Sequence, residues 1–169
     1  MAPENRVFGN GFHATCPLAV GLALYMRHVV QPAARRHLGS EIAQVQHLGT
    51  FSCRPVRNGK PQSEAERAEV GEPLMMSEHA AANAIDITGF RTRDGRLIVV
   101  DKHWKKDKPP QVAGADPAAV PAVDAAAARF LHEVHAGACG IFHAVLSPDY
   151  NALHRSHFHF DMGRYRHCR

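Results

Sequence analysis

His154-Arg-Ser-His-Phe-His-Phe-Asp161 sets two aromatic residues between polar ones, and its reading decides the fold. On a strand, side chains two apart share a face. His157 and His159 therefore point one way while Phe158 and Phe160 take the other and anchor in a core. That arrangement is a rigid platform for two imidazoles. A second stretch, Ser77-Glu-His-Ala-Ala-Ala-Asn-Ala-Ile-Asp86, again joins histidine to carboxylate. On one helix His79 and Asp86 would lie about 10 Å apart along the axis, too far for one ion. On one strand their odd separation would put them on opposite faces. They meet only if a turn follows His79 and a strand begins near Ala84, which three small alanines permit. Asp86 then sits mid-strand between Ile85 and Ile87, where a carboxylate is costly unless paired or metal-bound.

Outward from these two stretches, Leu18, Leu22, Tyr25, Met26, Val29 and Val30 recur at helical spacing between Pro17 and about His37. Pro17 suits a first helical turn, Gly39 a stop, and Pro32 should kink or divide the helix. Residues 42–52, 84–90, 96–100, 141–146 and 158–162 read as strands, with Asp94-Gly95 as a hairpin turn between the second and third. Residues 122–136 read as an amphipathic helix with Val123, Ala127, Phe130, Leu131 and Val134 inward. Strands that do not alternate regularly with helices predict an α+β fold, a small antiparallel sheet flanked by helices. Residues 1–15 read as a loosely held arm and 16–169 as a single domain, with long loops over 54–75 and 105–121.

The composition agrees: 169 residues, 45% hydrophobic and 21% charged, suit one globular core. No apolar run approaches the roughly 20 residues of a membrane span. The net charge of +4 is spread in short basic patches around Arg35–Arg36, Lys102–Lys108 and Arg164–Arg169. Basic residues interleaved with several stacking aromatics would suggest nucleic acid, and Trp104 alone does not make that pattern. The four cysteines contain no Cys-x-x-Cys pair. An even count fits two disulfides, expected as Cys16–Cys53 and Cys139–Cys168, and with them an exported protein, although Met1 to Arg6 leads into no signal segment. Four free thiols in a reducing compartment are the alternative.

Thirteen histidines stand out, since histidine titrates near neutrality and is the commonest metal ligand. His79, Asp86 and one or two of the later histidines form an N/O set suited to Zn²⁺. Three protein ligands would leave a catalytic position open and four would close the site, and spacing does not choose between them. His132-Glu-Val-His135 resembles a metalloprotease helix but sets its histidines three apart rather than the four that place both on one zinc. His13, His28, His37, His47, His103, His143 and His167 show no partner pattern.

Ser77-x-His79-x-x-Ala82-x-Ala84-x-Asp86 resembles the Ser-x-His-x-x-Gly-x-Ala-x-Asp signature of zinc D-Ala-D-Ala peptidases. From about Cys16 onward the chain resembles the extensin-like protein C-terminal domain family, within the lysostaphin, D-Ala-D-Ala carboxypeptidase and hedgehog superfamily. Cys-Pro-Leu-Ala, Gln-Pro-Ala-Ala-Arg-Arg-His-Leu-Gly and the two His-rich strings carry that likeness, and His-x-x-His-x-His is also similar to penicillin-insensitive murein endopeptidases. The resemblance implies His79, Asp86 and His159 as zinc ligands, His157 as catalytic acid/base and His154 as a further active-site histidine. It also implies that Arg54 holds a substrate carboxylate and that Ser77 bonds a ligand or substrate group. Two departures stand out: Ala82 replaces glycine, and Ser156 stands where carboxypeptidase relatives carry a catalytic glutamate, which moves the base role to His157.

The expected function is a zinc-dependent peptidase acting on peptidoglycan stem peptides or cross-links. Its expected setting is a periplasmic or secreted monomer with no nucleic-acid partner and no membrane span. The rival reading is a non-catalytic, zinc-containing cell-wall binding module of the same fold.

Overall fold

The computed structural model describes residues 7–9, 12–56, 75–104 and 122–169. The chain opens with α1 (Cys16–Tyr25), a π-helical turn (Met26–Val30) and α2 (Gln31–Leu38) running on as one rod. Thr15 caps α1, Pro17 sits in its first turn, and Gly39 ends α2 with a left-handed φ of 65°. Pro32 divides the helical run as expected, with a π-helical turn separating α1 from α2, while the backbone stays helical throughout. A proline has no N–H to give the fourth carbonyl back and crowds that carbonyl. Widening the preceding turn to π register, with Gln31 N–H bonding Met26 O, accommodates it.

The strands are β1 (Ile42–His47), β2 (Ala84–Thr92), β3 (Leu97–Val99), β4 (Ala144–Leu146), β5 (Phe158–Asp161) and β6 (His167–Cys168). A short helix α3 (Val100–His103) follows β3, and α4 (Ala122–Ala138) precedes β4. They form one sheet in the order β1-β2-β5-β4-β6, antiparallel except for the β4–β6 pair. The α+β reading therefore holds, with a sixth strand that the sequence does not advertise. β2 organises the sheet. One edge pairs with β1; along the other, β5 covers Ala84–Ile87 and β3 covers Gly89–Arg91. Gly89 stands where the partner changes, and a Cβ there would lie 2.6 Å from the Ile98 carbonyl oxygen.

Apolar faces of the rod and of α4 close over one side of the sheet. Phe158 and Phe160 are fully buried there, Tyr25 sits edge-on to Phe142 and Phe160, and Phe90 meets Phe130 edge-on. Of the segment 1–15 read as a loose arm, the described residues make contacts with the body: the Val7 carbonyl accepts from Val45 N–H, and Phe8 and Phe12 pack on each other and on His47. Residues 57–74 of the expected loop over 54–75, and the expected loop over 105–121, lie outside the described residues.

Cys139, just past α4, is bonded to Cys168 on β6. The expected Cys16–Cys53 bridge is not formed: both thiols are free and exposed. Cysteine parity carries no geometry. Cys16 faces solvent at the start of α1 while Leu18 and Leu22 take the core, and Cys53 lies on an exposed segment beyond β1.

Candidate metal centre

The site is built from one turn and two strands. A 3₁₀ turn (Glu78–Ala81) carries His79, and its cap Ser77 accepts the His79 N–H through Oγ. The turn ends at Ala82, whose φ of 54° makes it the single non-glycine residue with positive φ among the described ones. A glycine is at ease in that conformation. The alanine departure from the Ser-x-His-x-x-Gly signature thus falls on the residue that bends the chain into β2. Asn83 braces the bend, accepting from Thr15 Oγ1 at 2.6 Å and donating to Glu78 Oε2 at 2.7 Å. β2 starts at Ala84, and the antiparallel register sets Asp86 directly opposite His159 on β5.

His79 Nε2 lies 3.2 Å from Asp86 Oδ1, His159 Nδ1 lies 2.9 Å from the same oxygen, and the two nitrogens are 3.3 Å apart. Metal–ligand bonds of about 2.0–2.1 Å at tetrahedral angles put donor atoms about 3.3 Å apart, so the triangle has the size of one face of a zinc site. The tautomers follow from the outer partners. His79 Nδ1 donates to the Thr50 carbonyl at 3.2 Å, and His159 Nε2 donates to Asp161 Oδ2 at 3.0 Å. Both acceptors can only accept, so the inner nitrogens carry lone pairs when the rings are neutral. Two lone pairs and a carboxylate then face one another, which is stable only with a proton or a cation among them.

Charge behaves accordingly. Burial resists ionisation of Asp86, but hydrogen bonds and charge from His159 and His79 hold it well below the usual carboxylate range. Burial likewise resists a His159 cation, yet hydrogen bonds to Asp161 and Asp86 lift its pKa to about 9.

Among the described residues, His79, Asp86 and His159 are the group whose ligand atoms all lie within 4.8 Å of one another. His157 is outside that set. Its Nε2 reaches Asp86 Oδ1 at 3.5 Å, and burial, with the neighbouring His159, His79 and Arg54, lowers its pKa despite the pull of Asp86. His154 packs against both His157 and His159, and burial with those neighbours brings its pKa down to about 4. Its Nδ1 donates to Asn151 Oδ1 at 2.7 Å, which leaves Nε2 as the acceptor. Two neutral imidazoles therefore stand beside three ligand atoms.

The chain belongs to the extensin-like protein C-terminus family. The family's sequence model matches residues 3–169, which takes in the N-terminal segment as well. No curated protein and no solved structure matches it.

In this extensin-like domain the site opens on a groove of about 880 Å³. Arg54 and Ser77 line it, as do His154, His157, His159 and Asp86. Arg54 is close enough to both low-pKa histidines to disfavour their cations. Ser77 is buried and already committed to capping His79. Sequence reasoning missed Asp161, Asn151 and the Thr50 carbonyl, which orient three of these imidazoles. Asp161 was within reach: the alternation that puts His157 and His159 on one face continues to it. The metalloprotease-like stretch is structural, with His132 bonded to the Trp104 carbonyl and Glu133 paired with Arg36 and His37 on α2.

Proposed function

We propose that this domain is a zinc-dependent peptidase acting on peptidoglycan stem peptides or cross-links. In this reading its fold belongs with the lysostaphin, D-Ala-D-Ala carboxypeptidase and hedgehog superfamily, and its chemistry is close to that of murein endopeptidases. The observation that carries it is the convergence of His79 Nε2 and His159 Nδ1 on Asp86 Oδ1 beside the imidazoles of His154 and His157. The N/O donor set and its spacing fit Zn²⁺ held by His79, Asp86 and His159. Zinc bound there supplies Lewis acidity toward water and a peptide carbonyl.

The protein's own groups supply the rest. His157, its pKa lowered chiefly by burial, accepts the proton of the attacking water and returns it to the leaving amine nitrogen. Ser156 Oγ lies 3.5 Å from His157 Nδ1. His154, fixed by Asn151, presents Nε2 to the groove and orients water or the peptide. Arg54 offers a planar fork to a stem-peptide carboxylate. The Cys139–Cys168 bridge supports a periplasmic or secreted location.

Digestion of purified sacculi, followed by mass spectrometry of released muropeptides, tests the reading. Release that chelator abolishes and zinc restores supports it, as does loss of release in zinc-loaded His157→Ala. A zinc-loaded wild type that binds sacculi and releases nothing would replace the peptidase with a binding module.

A further inference from the structure

The sheet register sets an apolar surface beside the metal ligands. Residues directly opposite on antiparallel strands share a face. Asp86 on β2 pairs with His159 on β5, and His159 pairs in turn with Leu146 on β4. Asp86, His159 and Leu146 therefore form one row on the groove side, while the adjoining row of Ile85, Phe160 and Val145 is fully buried in the core. Leu146 takes the side of His159 away from Asp86.

The chain leaving β4 extends this surface. Asp149 Oδ2 accepts from the indole N–H of buried Trp104 at 2.9 Å, and Tyr150 N–H bonds the Ser147 carbonyl, which fixes the turn on the body. Tyr150 packs edge-on with His154 and with His167, each at 5.5 Å between ring centres, and His154 lies 5.7 Å from His159. Asn151 caps a 3₁₀ turn (Ala152–His154) by accepting from Leu153 N–H and His154 N–H, so Leu153 is held next to His154. Leu146, Tyr150 and Leu153 all line the groove, and Tyr150 and Leu153 stay 44% and 45% exposed. Large apolar side chains left exposed on a concave wall, beside a few fixed polar groups, are the usual make-up of a ligand pocket.

We infer that Leu146, Tyr150 and Leu153 form an apolar subsite on the β4 side of the metal ligands, which takes an uncharged aliphatic side chain from a residue flanking the scissile amide. This rests on the peptidase reading and narrows its substrates. An aliphatic side chain gains by displacing water from these three groups. A charged one forfeits its hydration there, and the three groups offer it no opposite charge.

The test uses N-acetyl tetrapeptides with a free C-terminus, made in L- and D-alanine series, and the same peptides with aspartate or lysine at the second or the third residue. Calorimetry on the zinc-loaded chain gives affinity independently of turnover, and kcat/KM is read in parallel. At one of the two positions wild type should bind the alanine peptide roughly 5- to 50-fold more tightly than either charged peptide. Tyr150→Ala with Leu153→Ala should bring that ratio near one, with zinc content and thermal unfolding showing the fold intact. Tyr150→Phe should keep the preference, because the ring and not the hydroxyl does the packing. Equal binding of alanine and charged peptides at both positions overturns the inference, as does no measurable binding of the alanine peptides in either series. Tighter binding of the aspartate peptides overturns it too, since selectivity would then belong to the arginines of the groove, and so does a preference that survives the double alanine variant. A binding preference without hydrolysis would remove the peptidase reading and leave the subsite standing, while hydrolysis without preference would do the reverse.

Discussion

Asp161 touches no substrate in this account, yet replacing it should weaken zinc binding. Its side chain is buried, with Oδ2 accepting from His159 Nε2 at 3.0 Å and Oδ1 accepting from Gly163 N–H at 2.8 Å. Asparagine has nearly the same shape but one acceptor oxygen in place of two. In Asp161→Asn, either Gly163 or His159 therefore faces an amide NH₂ and loses its bond. When His159 loses, its proton is free to move to Nδ1, the atom needed for the metal. Loss of such an outer-shell partner typically weakens metal affinity 10- to 100-fold, or about 1.4–2.7 kcal/mol. Asp161→Ala removes both acceptors and should lie at the upper end, with a further loss of about 1–3 kcal/mol in folding stability from the unpaired buried donors. Competition against a chromophoric zinc chelator measures the affinity, and thermal unfolding of the chelator-treated protein isolates the stability effect. Zinc affinity in Asp161→Asn within twofold of wild type would refute the reasoning.

Three further outcomes are expected. Ala82→Gly relieves a left-handed residue of about 1–2 kcal/mol while adding about 0.5–1 kcal/mol of backbone entropy, so denaturant unfolding should show it neutral to about 1.5 kcal/mol more stable. Breaking the Cys139–Cys168 bridge opens a loop with a sequence separation of 29, and Cys139→Ser should lose about 3–4 kcal/mol in the same assay. The His135 ring lies against Trp104 and Phe158, and burial lowers its pKa to about 4 from 6.5. The unfolded chain therefore binds the extra proton first. The stabilisation is complete above pH 6.5, and up to about 2–3 kcal/mol is lost as pH falls toward 4. His135→Leu should flatten that acid limb relative to wild type, measured by denaturant titrations across the range.

The site was legible because two local rules met. Period-two alternation aligned His157 with His159, and the impossibility of joining His79 to Asp86 on one regular element forced a turn between them. The opposing register of Asp86 and His159 is a tertiary fact that neither stretch contains. Nor can a sequence display the Thr50 carbonyl that sets the His79 tautomer, because every residue carries that group. β6 escaped because two residues have no periodicity; pairing with β4 and the bond to Cys139 hold it in place. Pro32 announced a disturbance in the first helix but not its form, since a kink, a break and a π turn all answer the same missing N–H.

Zinc stoichiometry in the purified chain and its ligand variants tests the central claim most directly. Elemental analysis should find one tightly held zinc per chain in wild type and in His157→Ala, and little or none in His79→Ala, Asp86→Asn or His159→Ala. A folded wild type that takes up no zinc, or a His157→Ala variant that loses it while the other three keep it, would contradict the account.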